Sequence, residues 1–116
     1  DILLFDNGRK RGWSRVIEID PIKKEIVWEY HSTPKETFYA PVLSGAERLP
    51  NGNIFVCDGV HSRFFEITHG GEIVWDFIST YDRINTEVIL RANMYSPQYV
   101  KPVLQAAADL QKGTIQ

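Results

Sequence analysis

The sequence is short of cysteine, of basic excess and of long apolar runs, and each shortage removes a class of function. A single cysteine, Cys57, excludes an internal disulfide and a cysteine-rich zinc site. It lies in the apolar string NIFVCD, where a small buried hydrophobe is the expected role rather than a nucleophile. A net charge of −2 supplies no basic stripe for nucleic acid. No apolar run approaches the roughly 20 residues that a membrane-spanning helix needs. The histidines lack the i, i+4 helical spacing of a zinc pair, and there is neither a glycine-rich phosphate loop nor a G-x-S-x-G elbow. No metal and no cofactor is expected.

What is present is an ordinary globular composition, 43% hydrophobic and 24% charged, in 116 residues, the length of one small domain. Three Trp, five Tyr and six Phe are enough to anchor a core or a recognition surface.

One string occurs twice. SRVIEIDPIKKEIVWEY, from Ser14 to Tyr30, returns as SRFFEITHGGEIVWDF, from Ser62 to Phe77. Arg15 recurs as Arg63 and Trp28 as Trp75, with a one-residue slip in the turn between them. Upstream, DILLFDNG matches NIFVCDG and brings Asp6 onto Asp58, the first copy carrying a longer loop in NGRKRGW. A unit of roughly 40–50 residues is the range of propeller blades and helical arrays. The alternation decides for strands: EIVWEY places Ile26, Trp28 and Tyr30 on one face, and RFFEIT sets Phe65 and Ile67 against Phe64, Glu66 and Thr68. The connectors are turn chemistry, with Asn51-Gly52 as a hairpin signal in which both residues tolerate positive φ, and HGG and DP marking the matching turns.

The expected fold class is therefore all-β: a β-propeller fragment of about two four-stranded antiparallel blades, with a further strand and a short C-terminal helix. Residues 1–32 read as a partial blade without its opening strand, 33–79 as a complete blade, and 80–116 as the C-terminal strand and helix. The strand is expected in TEVILRANMYS and the helix from about Pro102, suited to a first turn, to Lys112, with Gly113 as its stop. Two blades cannot close a ring, so the chain reads as part of a longer propeller whose remaining blades are its partners.

These strings, LLFDNG, SRVIEID…EIVWEY and FYAPVLSGAERLPNGNIFVCDG…RFFEIT…GEIVWDF, closed by TEVILRANMYSPQY, resemble the bacterial arylsulfotransferase-like (aryl-sulfate sulfotransferase) β-propeller family over nearly the whole chain to about Tyr99. The resemblance implies a six-bladed propeller acting in the periplasm or outside the cell. It implies transfer of a sulfuryl group from an aryl sulfate ester to a phenol acceptor through a sulfohistidine, with further histidines and an arginine assisting. Members place a histidine in the opening strand of the blade leading into LLFDNG, a strand absent here. The equivalent place in the next blade holds Ser44, Gly45 and Ala46. The alternative is a non-catalytic propeller domain that binds a carbohydrate, peptide or protein through its end face.

Sulfuryl transfer requires a nucleophile that is neutral at working pH, positive charge around the sulfuryl oxygens and an acid for the leaving phenolate. Histidine meets the first and third needs and arginine the second. His61, in the loop equivalent to NGRKRGW, is the candidate catalytic residue. Asn7, Arg9, Arg11 and Arg15 are candidate anion-binding residues, and Trp13, which has no counterpart in the second copy, a candidate platform for an aryl group. Against these stand structural roles: a solvated basic loop, or Arg15 bridging to a neighbouring blade as a repeated architectural residue. His69 is expected exposed in a turn, and Trp28 and Trp75 in the core between blades.

Overall fold

The computed structural model describes residues 1–79 and 92–115. Its elements are β1 (Ile2–Asp6), β2 (Arg15–Asp20), β3 (Glu25–Tyr30), a 3-10 turn (Lys35–Thr37), β4 (Ser44–Arg48), β5 (Ile54–Asp58), β6 (Arg63–Ile67), β7 (Ile73–Ile78) and the helix α1 (Pro97–Ile115). They form two antiparallel meanders, a three-stranded sheet in the order β1-β2-β3 and a four-stranded sheet in the order β4-β5-β6-β7. The described residues are mostly β, in two antiparallel sheets as the alternation predicts, followed by a C-terminal helix.

The sheets lie face to face. Val16 and Tyr30 of the first sheet meet Ile54, Val56, Phe65 and Ile67 of the second, and Phe38 from the intervening connector fills the space between them. Leu3, Phe5, Trp28 and Ala46 pack around this centre. Phe65 and Ile67 point inward and are fully buried, whereas Phe64 and Glu66 lie on the other face, as their alternation requires.

Both sheets carry the same irregularity. Glu18 pairs with Trp28 but Ile19 pairs with Ile26, so Val27 is an extra residue. Glu66 pairs with Trp75 but Ile67 pairs with Ile73, so Val74 is its counterpart. A bulge interrupts the period of two. Ile26 therefore shares a face with Ile19 and not with Trp28 and Tyr30, which corrects the grouping taken from strict alternation.

The turns also differ from the simplest reading. Only Gly52 of the Asn51-Gly52 pair has a positive φ, +88°, and the loop holds three residues, closed by Gly52 N–H to Leu49 O at 2.9 Å and Leu49 N–H to Asn53 O at 2.8 Å. The 68–72 turn is built identically, with Gly71 at φ +85° donating to Thr68 O at 2.9 Å. A three-residue loop ending in a left-handed glycine is the common alternative to a two-residue turn.

The helix is longer than expected. It runs over 19 residues from Pro97 to Ile115 and passes through both Pro102 and Gly113. Ser96 caps it, its Oγ accepting from Tyr99 N–H at 3.2 Å, and Pro97 takes the first helical position. Pro102 lies inside the helix and forfeits one backbone bond there. Tyr99, Val103, Leu104 and Leu110 are exposed, so α1 does not lie packed along the sheets. Its first turn borders the β4–β5 turn, Tyr99 with Met94, Tyr95 and Ser96 lining a groove against Glu47, Arg48, Leu49 and Pro50. The strand expected in TEVILRANMYS falls mainly on residues 86–91, outside those described; residues 92–96 are irregular. Among the described residues no helix is long and apolar enough to cross a membrane.

Candidate functional site

The β1–β2 loop, residues 7–14, and the β5–β6 loop, residues 59–62, lie at one end of the sheet pair. The connector of residues 38–43 ties them together. Ser14 N–H donates to Phe38 O at 2.8 Å, Asn7 Nδ2 donates to Ala40 O at 2.7 Å, and Gly59 N–H donates to Leu43 O at 3.0 Å. Ser14, fully buried, completes the pin: its Oγ donates to Asn7 O at 2.8 Å and accepts from Ala40 N–H at 2.8 Å. Asn7 therefore uses one amide hydrogen to hold the connector.

The arginines of the basic loop divide into two kinds. Arg15 Nε lies 2.7 Å from Asp6 Oδ2, and its Nη1 meets Glu29 Oε1. Arg11 Nη1 lies 3.2 Å from the same Asp6 oxygen, and its Nη2 donates to Trp13 O at 3.1 Å. Arg63, the repeat of Arg15, forms a forked pair with Asp76 at 3.0 and 2.8 Å. The repeated arginine thus pairs with the next strand of its own sheet, β2 with β3 and β6 with β7, instead of reaching into a neighbouring sheet. Arg9 and Lys10 are exposed and make no ion pair among the described residues. Trp13 is half-buried, with the Arg11 guanidinium 4.2 Å and the Lys35 ammonium 4.7 Å from its ring centre and the His31 ring 6.0 Å away. Its faces are engaged by cations.

These ion pairs carry a pH dependence. For Asp76 the hydrogen bonds from Arg63 hold the carboxyl below its ordinary value. For Asp6 burial alone would raise the value, but the hydrogen bonds and charges of Arg15 and Arg11 outweigh it and the net direction is down. Glu29 behaves likewise, burial opposing Arg15 and His31, with a net lowering. A carboxyl lowered in the folded state stabilises the fold above its unfolded pKa, and that stabilisation disappears as pH falls through the folded value. The melting temperature should accordingly hold from neutrality to about pH 5 and fall below about pH 4. Arg63→Gln should flatten the acid limb; a melting temperature unchanged between pH 7 and pH 3 would contradict this assignment.

His61 is arranged differently from the arginines. Its Nδ1 lies 2.7 Å from Asp58 Oδ2, while its backbone N–H donates to Asp58 Oδ1 at 3.1 Å. The Asp58 side chain is 3% exposed and that of His61 58% exposed. A buried carboxylate thus grips one ring nitrogen and leaves Nε2 open to solvent. Asp58 is the repeat of Asp6, so the acid that holds Arg11 and Arg15 in the first unit holds a histidine in the second. Sequence reading singles out His61 but misses its partner, although DGVH carries the i, i+3 spacing.

No family model matches the chain, and no curated protein and no solved structure matches it. The site therefore stands on its own geometry. His31 Nδ1 lies 3.0 Å from Glu29, and His69, exposed as expected, stacks on Trp28 at 5.4 Å. Among the described residues no group of three His, Cys, Asp or Glu side chains could hold a metal ion. Cys57 is buried; burial first, then the Asp58 charge, pushes its thiol above the ordinary value, which removes it as a nucleophile. A cavity of about 260 Å³ adjoins it, bounded by Ser44, Gly45, Glu47, Phe55 and residues 92 and 93.

Proposed function

We propose that the two sheets are consecutive blades of an arylsulfotransferase-like β-propeller and that His61 is the group that receives the sulfuryl moiety. The carrying observation is the Asp58–His61 pair, a histidine oriented at Nδ1 by a buried carboxylate and open at Nε2. The meander order of β1-β2-β3 recurring in β5-β6-β7, the matching bulges and the face-to-face packing support the blade reading. The resemblance of the sequence supports the chemistry and an extracytoplasmic setting.

Asp58 accepts a hydrogen bond from Nδ1–H, which fixes the tautomer whose Nε2 lone pair is free. Nε2 attacks the sulfur of an aryl sulfate ester, the sulfur–oxygen bond to the aryl group breaks, and the phenolate leaves and takes a proton from solvent. A phenol acceptor then gives its proton back to solvent and attacks the same sulfur through its oxygen, breaking the nitrogen–sulfur bond and restoring the imidazole. Arg9 and Lys10 are the cations of the neighbouring loop without ion-pair partners among the described residues, and they are the ones available to sulfuryl oxygens. Arg11 and Arg15, committed to Asp6 and Glu29, act as supports for the loop.

The test is release of p-nitrophenol from p-nitrophenyl sulfate in the presence of phenol. Turnover, label transferred from radioactive ester to the protein, and loss of both in His61→Gln are expected. A folded protein that is inert and unlabelled across several donors and acceptors overturns the reading. The engagement of Arg11, Arg15 and Trp13 favours the second reading in that event: a non-catalytic blade pair that binds its partner through the same end face.

A further inference from the structure

The outer faces of the two sheets are unlike, and each is the repeat counterpart of a face already in use. Leu3, Val16, Trp28 and Tyr30 pack between the sheets. Their counterparts in the second unit, Phe55, Phe64, Trp75 and Phe77, lie on the far face of the four-stranded sheet. There Phe55–Phe64, Phe64–Phe77 and Trp75–Phe77 stack with ring centres 6.2, 6.3 and 6.2 Å apart, and Phe55–Trp75 is tilted at 6.4 Å. Residues 92 and 93 adjoin Phe55, which is buried, but Trp75 is 43% and Phe77 51% exposed. Conversely, Ile54, Val56, Phe65 and Ile67 are used between the sheets, and their counterparts Ile2, Leu4, Ile17 and Ile19 form the far face of the three-stranded sheet. Ile2 and Leu4 are exposed there, as is Ile26 beside Ile19.

We propose that copies of this chain associate head to tail, the exposed β6–β7 side of one copy's far face receiving the far face of β1–β3 from the next. The interface inside the chain is the template. Trp28 stacks on His69 at 5.4 Å and donates its indole N–H to His69 O at 2.7 Å, His69 lying in the β6–β7 turn. Trp75 repeats Trp28, and the second copy's equivalent of that turn is its β2–β3 turn. Ile22 at the tip of that turn is 90% exposed, as a residue meant to lie over a neighbouring indole would be in the free chain. Contiguous exposed apolar side chains, here Val74, Trp75, Phe77 and Ile78 along β7, mark an association surface. Because two different faces meet, the contact is heterologous and each copy keeps one face of each kind. The inference rests on the blade half of the reading above and is independent of sulfuryl transfer.

Sedimentation velocity on the 116-residue chain tests it. The chain should form dimers and larger species as concentration rises. Phe77→Glu blocks one face and Leu4→Glu the other, and each variant alone should be monomeric. Mixed in equal amounts, they should give a dimer and nothing larger, because one intact face of each kind remains. Ile22→Glu changes a turn tip without touching either sheet and should weaken association about tenfold or more; it decides the matter if a strand variant fails to fold. A chain monomeric through high micromolar concentration overturns the association while leaving the sulfate-ester assay untouched. A Leu4→Glu variant that still dimerises overturns it too, since like faces would then be pairing.

Discussion

Truncating Phe65 to alanine is expected to lower the unfolding free energy by about 3–5 kcal/mol, a large part of the roughly 5–15 kcal/mol that small domains possess. The ring is fully buried where three parts of the chain converge. It meets the edge of Phe38 from the connector at 5.4 Å and Tyr30 of the first sheet at 6.2 Å, and it pairs across its own sheet with Val56. The Arg63 guanidinium lies 4.3 Å from its centre and is itself forked onto Asp76. Strand ladders on both sides hold these neighbours apart, so the space left by the ring cannot collapse, and cavity cost adds to lost burial. Phe64→Ala is the matched control, with the same residue type one position away on the outer face. Its ring is only half-buried and should cost about 1–2 kcal/mol. Urea midpoints measure both; equal losses would mean that the space between the sheets is not the core.

The second large effect belongs to Gly8→Ala. Gly8 has φ +67°, and a Cβ there would lie 2.1 Å from the Trp13 carbonyl oxygen and 2.6 Å from Arg11 Nη2. The left-handed conformation alone costs a side-chain-bearing residue about 1–2 kcal/mol. The clash is with backbone and cannot be relieved by rotating a side chain, so the loop must open. Opening it would disturb the Gly8 carbonyl, which accepts from Arg11 N–H at 3.0 Å and Gly12 N–H at 2.9 Å, and with it the Ser14 pin on the connector. A loss of about 2–4 kcal/mol is expected. Gly12→Ala separates the two causes. Gly12 has φ +86°, but an alanine methyl there would meet nothing within 4 Å, so only the conformational cost of about 1–2 kcal/mol should appear. Thermal melts that rank the two variants equally would refute the close approach at Gly8.

Six strands are legible in the sequence because period-two alternation and the repeat reinforce one another, and β4, which has no counterpart in the first copy, is legible from the hairpin signal that follows it. Two features escape for definable reasons. A bulge leaves composition unchanged and shows only in pairing, so EIVWEY reads as perfect alternation although Val27 is extra. Pro102 draws the expected helix start toward itself, since a proline inside a helix is costly, while SPQY just upstream holds a complete cap and first-turn proline. The candidate site is legible in residue types and not in pairings. Arg11 and Arg15 look like free cations along the chain, because Glu29 faces Arg15 only after the sheet has folded. His61 stands out in the loop where the two copies differ, but its strength comes from Asp58, whose burial is a property of β5 inside its sheet.

The shared bulge has a consequence for how such a chain can grow. The turns that precede β3 and β7 differ in length by one residue, yet the extra valine stands immediately before the tryptophan in both units. Insertions in the turn leave the orientation of the strand beyond it intact, whereas one between the bulge and the tryptophan would reverse which side chains face the neighbouring sheet. A segment duplicated together with its bulge therefore arrives with its packing side already set, and can be appended to a preceding unit without any compensating change.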